Sequence, residues 1–240
     1  MTLVKQLEAL GVGQGSIVMV HASMRAVGGR AEDVVRALLE AVGPGGTVAA
    51  YVDFEAVDDV RGFDLARSPA ARDHGVFAEV LRRWPGAVRS HNPGASMAAV
   101  GARAAWLCAE HPMNYGYGPG TPLGRIVEAG GAVLLLGSHF DHVTLLHYAE
   151  HVARIEGKRV VRYTVEADGV ERTIEEFDTS EGVVDAMPER YFERVVQAFV
   201  DEHTVSSGLV GGAQSYLLDA RALAAFAAER MERDFGSSRG

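Results

Sequence analysis

Residues 132–151 read AVLLLGSHFDHVTLLHYAEH, and the class of fold turns on them. The apolar run from Ala132 to Leu136, bounded by Gly130-Gly131 and Gly137, reads as a strand. The period then changes. After Thr144, a credible N-cap, Leu145, Leu146, Ala149, Val152 and Ala153 fall on one helical stripe. A strand that passes directly into a helix is the repeating step of an α/β fold.

The same alternation extends outward. Leu3, Leu7 and Leu10 have helical spacing, which Gly11 and Gly13 interrupt. Residues 16–21 form a short β-branched run ending on His21. Residues 32–42 carry Val34, Val35, Leu38, Leu39 and Val42 on one helix face, closed by Gly43-Pro44. A second apolar strand covers 46–52, and a helix covers 76–84, with Pro85 as its stop. Residues 97–101 read as a strand or turn, followed by an alanine-rich helix to His111. Downstream, Val161, Tyr163 and Val165 alternate, Asp168-Gly169 signals a tight turn, and the chain returns from Val170 to Phe177. Helices are expected over 188–203 and 219–235. With no repeat, linker or low-complexity stretch, the reading is a single compact mixed α/β domain over residues 1–240. It has a central sheet, flanking helices and an antiparallel hairpin insertion.

Composition narrows the function. The 240 residues are 48% hydrophobic and 23% charged, which is ordinary globular usage. Asp and Glu outnumber Lys and Arg by 32 to 23, and the net charge of −9 argues against a general nucleic-acid binder while allowing a cationic ligand. No apolar run approaches the ~20 residues of a bilayer span, so no membrane partner is expected. The single cysteine, Cys108, forms no intrachain disulfide. That fits a reducing, cytoplasmic setting. Phosphate loops, nucleophile elbows, H-E-x-x-H and G-x-G-x-x-G are absent. So is the Q/R-x-x-G-x-G/A loop of the commonest N-acetyltransferase fold.

Four polar clusters remain. In the first, His147, Glu150, His151 and Arg154 fall at i, i+3, i+4 and i+7 on one helix face. His147 lies in the first turn, where the dipole disfavours imidazolium, while a neighbouring carboxylate pulls the other way and orients the ring. A neutral imidazole so placed suits a general base. Two other readings stand beside it: a satisfied core histidine with a surface carboxylate, or a metal site drawing on His139 and His142, or His147 and His151. The metal reading lacks a thiolate and a defined ligand set. The second cluster, His21, Ser23 and Arg25 at a strand end, suits an anion such as a pyrophosphate, or is a plain strand–turn. The third is the loop from Arg89 to Ser96. The fourth is Asp53-Phe54-Glu55, where carboxylates at a strand's C-terminal end line a site or are simply solvated.

Together these segments resemble the aminoglycoside 3-N-acetyltransferase family. VHASMRAVG at 20–28 is similar to its VHxSxxxxG segment, and RSHNPGASMAAVG at 89–101 to its RSxHPxxSxxAxG segment. GPGTPL at 118–123 resembles its GxGSP turn. TLLHYAE at 144–150 is the most specific piece, and DTS at 178–180 and GLVGGAQSYL at 208–217 follow in order.

The resemblance implies acetyl-CoA-dependent acetylation of the 3-amine of a 2-deoxystreptamine aminoglycoside, with antibiotic resistance as the outcome. It implies His147 as the base, with Glu150 as first-choice carboxylate partner and Asp141 as the second. His21, Ser23, Arg25, Val27, Arg89, Ser90, Ser96 and Thr144 would face coenzyme A. Thr144 or backbone N–H groups would serve the oxyanion. Asp53 and Glu55, two apart on an extended strand, would share a side and meet the drug's ammonium groups. No metal is expected, and self-association is left open. The runner-up functions are a metal-dependent hydrolase using His139, His142 and His147, and a coenzyme-A-binding relative that leaves drugs unmodified. The chain departs from the family in two places. Asn92 stands where the family usually has histidine, and the segment 53–62 is shorter than in many members.

Overall fold

The computed structural model describes residues 1–54, 62–113, 115–178 and 182–236. In chain order the elements are α1 (Leu3–Leu10), β1 (Ile17–Ala22), α2 (Met24–Val27), α3 (Ala31–Val42), β2 (Thr47–Tyr51), β3 (Gly62–Phe63) and α4 (Gly75–Arg82). There follow β4 (Val88–Arg89), β5 (Met97–Gly101), α5 (Ala104–Cys108), α6 (Pro122–Glu128), β6 (Ala132–Leu136) and α7 (Leu145–Val152). The last are β7 (Val160–Ala167), β8 (Val170–Phe177), α8 (Tyr191–Glu202), β9 (Ser206–Val210), β10 (Ala213–Asp219) and α9 (Ala220–Phe235).

The main sheet runs β4-β5-β2-β1-β6-β10-β9. Its three middle strands are parallel, and the outer ones are antiparallel. Parallel strands must be covered on both faces, which is why β6 is apolar at every position and β1 from Ile17 to Val20, rather than at alternate ones. The pleat sends Met19, Ala49, Val133 and Leu135 into one core with α5 to α9. Val18, Val20, Val48, Leu134 and Leu136 enter the other core, with α1, α3 and α4. The result is a sheet between two helical layers. Among the described residues, no helix is long and apolar enough to cross a membrane.

The expected hairpin is present as β7 and β8, joined by Asp168 and Gly169 with φ of 52° and 75°. Two consecutive positive φ angles are what a two-residue hairpin turn demands. With β3 these strands form a separate three-stranded sheet. The expected alanine-rich helix stops at Cys108, short of His111. The helix expected from Pro188 begins at Tyr191, because Arg190 takes a left-handed φ of 55°. The hairpin β9–β10 and helix α6 were not anticipated. Gly211 makes the hairpin turn possible: its φ is 59°, and a Cβ there would lie 2.4 Å from the Val27 carbonyl.

Candidate active site

The C-terminal ends of β1, β2 and β6 open onto one crevice, the usual ligand position in an open α/β sheet. It has a volume of about 600 Å³. Residues 20–25 line one side, with Tyr51 and residues 73–78 from the start of α4 beside them. Residues 137–139, Asp141, His142, Thr144, His147 and Phe192 form the other side. The structure thus gathers His21, Ser23, Arg25, Asp141, Thr144 and His147 around one cleft, although they come from two separate segments of chain.

His147 sits in the first turn of α7. Its Nδ1 is 2.7 Å from Oε2 of Glu150, whose side chain is only 1% exposed. Helical i,i+3 spacing produces this pair locally. With Nδ1–H donated to the carboxylate, Nε2 is the nitrogen left for a proton. The ring is fixed from two further sides, by Tyr117 at 4.8 Å and Phe192 at 5.0 Å between centroids. The Tyr117 hydroxyl meets that of Tyr51 at 2.7 Å, and Tyr51 donates to the Gly94 carbonyl at 2.8 Å. Burial pushes both phenols well above their ordinary range, so they remain protonated.

His21, at the end of β1, keeps its Nε2 out of water and without a hydrogen-bond partner. Burial above all, then the nearby His74 and His142, pushes its pKa down to about 3. It is a neutral polar group facing the cleft.

Several expected residues lie elsewhere or act differently. Thr144 makes no capping bond; its φ of −54° and ψ of −24° are helical, whereas a capping side chain needs an extended backbone. The turn Phe140–His142 ends at Val143, and Thr144 already has helical dihedrals. Asp141 belongs to that turn, and the carboxylate on His147 is that of Glu150. His151 is stacked on Tyr115, at 5.2 Å. Arg154 is past the helix end and pairs with Glu232 at 3.0 Å. Val27 is core, and its carbonyl accepts from Gly212 N–H.

Arg89, Ser90 and Ser96 are buried. The Arg89 guanidinium donates to Ser96 Oγ and to the carbonyls of Ser68 and Val52. Ser90 Oγ accepts from Met97 N–H and meets His111 Nδ1 at 2.9 Å. Asn92, fully buried, donates to the Pro112 carbonyl and accepts from Gly94 and Ala95 N–H. These side chains brace the loop that carries Tyr115 and Tyr117. Asp53 pairs with His74. Glu55 lies outside the described residues, as do Thr179 and Ser180.

His139 and His142 meet edge to face at 5.8 Å, but among the described residues no three His, Cys, Asp or Glu side chains converge to hold a metal ion. Cys108 is buried, and burial pushes its thiol up to about 12. Native protein is therefore expected to resist alkylation near pH 8, and Cys108→Ala to keep kcat within about twofold, because only a thiolate is nucleophilic. Rapid loss of activity with iodoacetamide, tracked by labelling at Cys108, is the contrary result.

No motif in the sequence marks His74, Tyr51, Tyr117, Phe192, Tyr163 or Glu176 as part of the site. Tyr51 was within reach of the strand-end argument applied to Asp53. The others arrive from loops or distant elements with no motif of their own.

The family model for aminoglycoside 3-N-acetyltransferase matches residues 19–232. The chain is 38% identical to aminoglycoside N(3)-acetyltransferase III of Pseudomonas aeruginosa, over 98% of this chain and 94% of that protein. It is 39% identical to aminoglycoside N(3)-acetyltransferase VII of Streptomyces paromomycinus, over 99% and 93%. Among solved structures, AAC-IIIb in a binary complex with CoASH superposes with a TM-score of 0.94 at 45% identity, covering 99% of this chain and 97% of that one. Sisomicin-bound AAC-VIa gives 0.91 at 39% identity, covering 97% of each.

Proposed function

Because the chain belongs to the aminoglycoside 3-N-acetyltransferase family, we propose that it transfers the acetyl group of acetyl-CoA to the 3-amine of a 2-deoxystreptamine aminoglycoside, with His147 as general base. The observation that carries the residue assignment is the His147–Glu150 pair at the wall of the cleft. Support for the two substrates comes from relatives bound to CoASH and to sisomicin.

An ammonium has no lone pair, so the acceptor must lose a proton before it attacks. His147 Nε2 takes that proton, directly or through one water, and Glu150 stabilises the imidazolium. The amine nitrogen then bonds to the thioester carbon. The carbon–sulfur bond breaks, the departing thiolate takes up the proton held on His147, and the nitrogen gives its second proton to solvent as the neutral amide forms. Acetyl-CoA supplies the activated acetyl group; Ser23, Arg25, Ser138 and His139 are the cleft residues suited to hold it. Neutral His21, with its unpartnered Nε2, and the Thr144 hydroxyl are the side chains available to a developing oxyanion. Acetylation removes one positive charge from the drug, and resistance follows from its weaker binding to an anionic target.

Thiol release from acetyl-CoA is the direct test. Release that requires an aminoglycoside and ignores a chelator is expected. No release with any drug of a broad panel, from protein that binds coenzyme A, overturns the proposal.

A further inference from the structure

Glu150 meets His147 through Oε2, but its other oxygen, Oε1, is withdrawn from water and has no hydrogen-bond partner. A shielded carboxylate left half-satisfied drifts toward its neutral form, and a neutral acid gives an imidazolium no support. A positive charge nearby is what keeps such a group ionised.

The groups around the pair come from several elements. Tyr117 and Phe192 cover the imidazole with uncharged rings. On the β7–β8 hairpin, Glu176 accepts from the Tyr163 hydroxyl at 3.0 Å and is close enough for its charge to act on His147. On α9, Glu232 has both oxygens taken by the Arg154 guanidinium, at 3.2 and 3.0 Å. On α6, Glu128 acts on Tyr148. The remaining group is Lys158, in the segment between α7 and β7. Its Nζ donates to the carbonyl of His151, one residue beyond Glu150, at 3.0 Å. It also lies 4.9 Å from the centre of the Phe177 ring, which packs on His151 at 5.1 Å. The ammonium is thus half-buried and tied to the end of α7, and among the described residues it makes no direct ion pair. Burial pulls it below the usual lysine range, against the opposing pull of Glu150 and then Glu232. The same ammonium, after burial, lowers the pKa of His151.

Two carboxylates near one imidazole, Glu150 and Glu176, favour a ring already loaded with a proton, and a loaded ring cannot take one from the acceptor. A cation tied one residue along from Glu150 offsets part of that charge. We propose that Lys158 sets the proton affinity of the His147–Glu150 pair, keeping Glu150 ionised and the imidazole free to accept a proton. Lys158 acts through Glu150, as a positioning residue. Its role rests on His147 being the base.

Removing a cation raises the proton affinity of the groups near it, whichever member of the pair takes up the proton. In Lys158→Met the acidic limb of the kcat/KM profile should therefore move to higher pH by about half to one unit, less than the shift a direct ion pair would give. On that limb kcat/KM should fall about 3–10-fold, while the alkaline plateau stays within about twofold of wild type. Lys158→Arg should restore the limb. Lys158→Gln removes the charge but keeps a donor for the His151 carbonyl, so it should shift the limb as Lys158→Met does, and it takes that variant's place should Lys158→Met fail to fold. A lower Tm with an unmoved limb is the mark of a mere tether and overturns the proposal. So does a limb that Lys158→Arg leaves as far displaced as Lys158→Met. Titration of the His147 ring by NMR in the free protein, with its signals assigned by their loss in His147→Gln, separates the two proposals. A ring titration that moves to higher pH in Lys158→Met upholds the charge coupling even if no acetyl group is ever transferred. An unmoved one overturns it, whatever happens to turnover.

Discussion

His147→Ala is expected to turn over the acceptor about 10²–10⁴ times more slowly than wild type while keeping its fold and its affinity for coenzyme A. The size follows from the role. Without a base, attack must await the small fraction of acceptor amine that is free in solution. Retention of the fold follows from position: the His147 side chain is 22% exposed at the cleft wall, and the helix beneath it rests on Leu145, Leu146 and Ala149. Glu150→Gln keeps shape and one hydrogen bond but removes the charge that favours imidazolium, so it should fall less far than His147→Ala. It should also change the pH dependence of kcat/KM. Near-normal kcat in folded His147→Ala would remove the histidine from the mechanism. An unmoved profile in Glu150→Gln would return the partner's role to Asp141 or another acid.

Arg89→Met is expected to cost about 2–5 kcal/mol of stability, because Ser68 O and Ser96 Oγ lose their buried guanidinium donor and Val52 O loses one of its two. For a chain of this size that corresponds to a fall in Tm of about 5–15 °C. The resemblance of the segment 89–101 to the family motif suggested that Arg89 faces coenzyme A. The geometry points to an internal brace instead, with the guanidinium also 4.7 Å from the Phe63 ring centroid. The two roles separate cleanly. A brace lowers Tm and leaves the acetyl-CoA KM of the folded fraction within about threefold, the scale of a change that touches no ligand atom. A contact with the cofactor leaves Tm in place and raises that KM more than tenfold, the worth of a lost charge-assisted hydrogen bond.

Asn92 carries the same lesson. It departs from the family's usual histidine, which raised the question of a lost cofactor contact. All of its amide bonds go to backbone, in a site with no solvent exposure. Polar residues in a Pro-Gly loop read alike in sequence whether they face a ligand or lock the loop shut.

What the sequence by itself determined is whatever depends on neighbours a few residues apart. Apolar runs near Val18, Val48 and Leu134 mark buried strands, Asp168-Gly169 marks a hairpin, and three-residue spacing brings His147 to Glu150. What only the tertiary structure decided is which distant segments share a wall. The order β2-β1-β6 carries Tyr51, His21 and Ser138 to one crevice. A separate sheet holds Glu176 beside glycines some sixty to eighty residues upstream. Burial then turns Arg89 from a loop cation into a brace. The physical reason is that hydrogen bonding and helical period act over one turn of chain, whereas the exposure and partners of a polar group follow from packing among elements far apart in sequence.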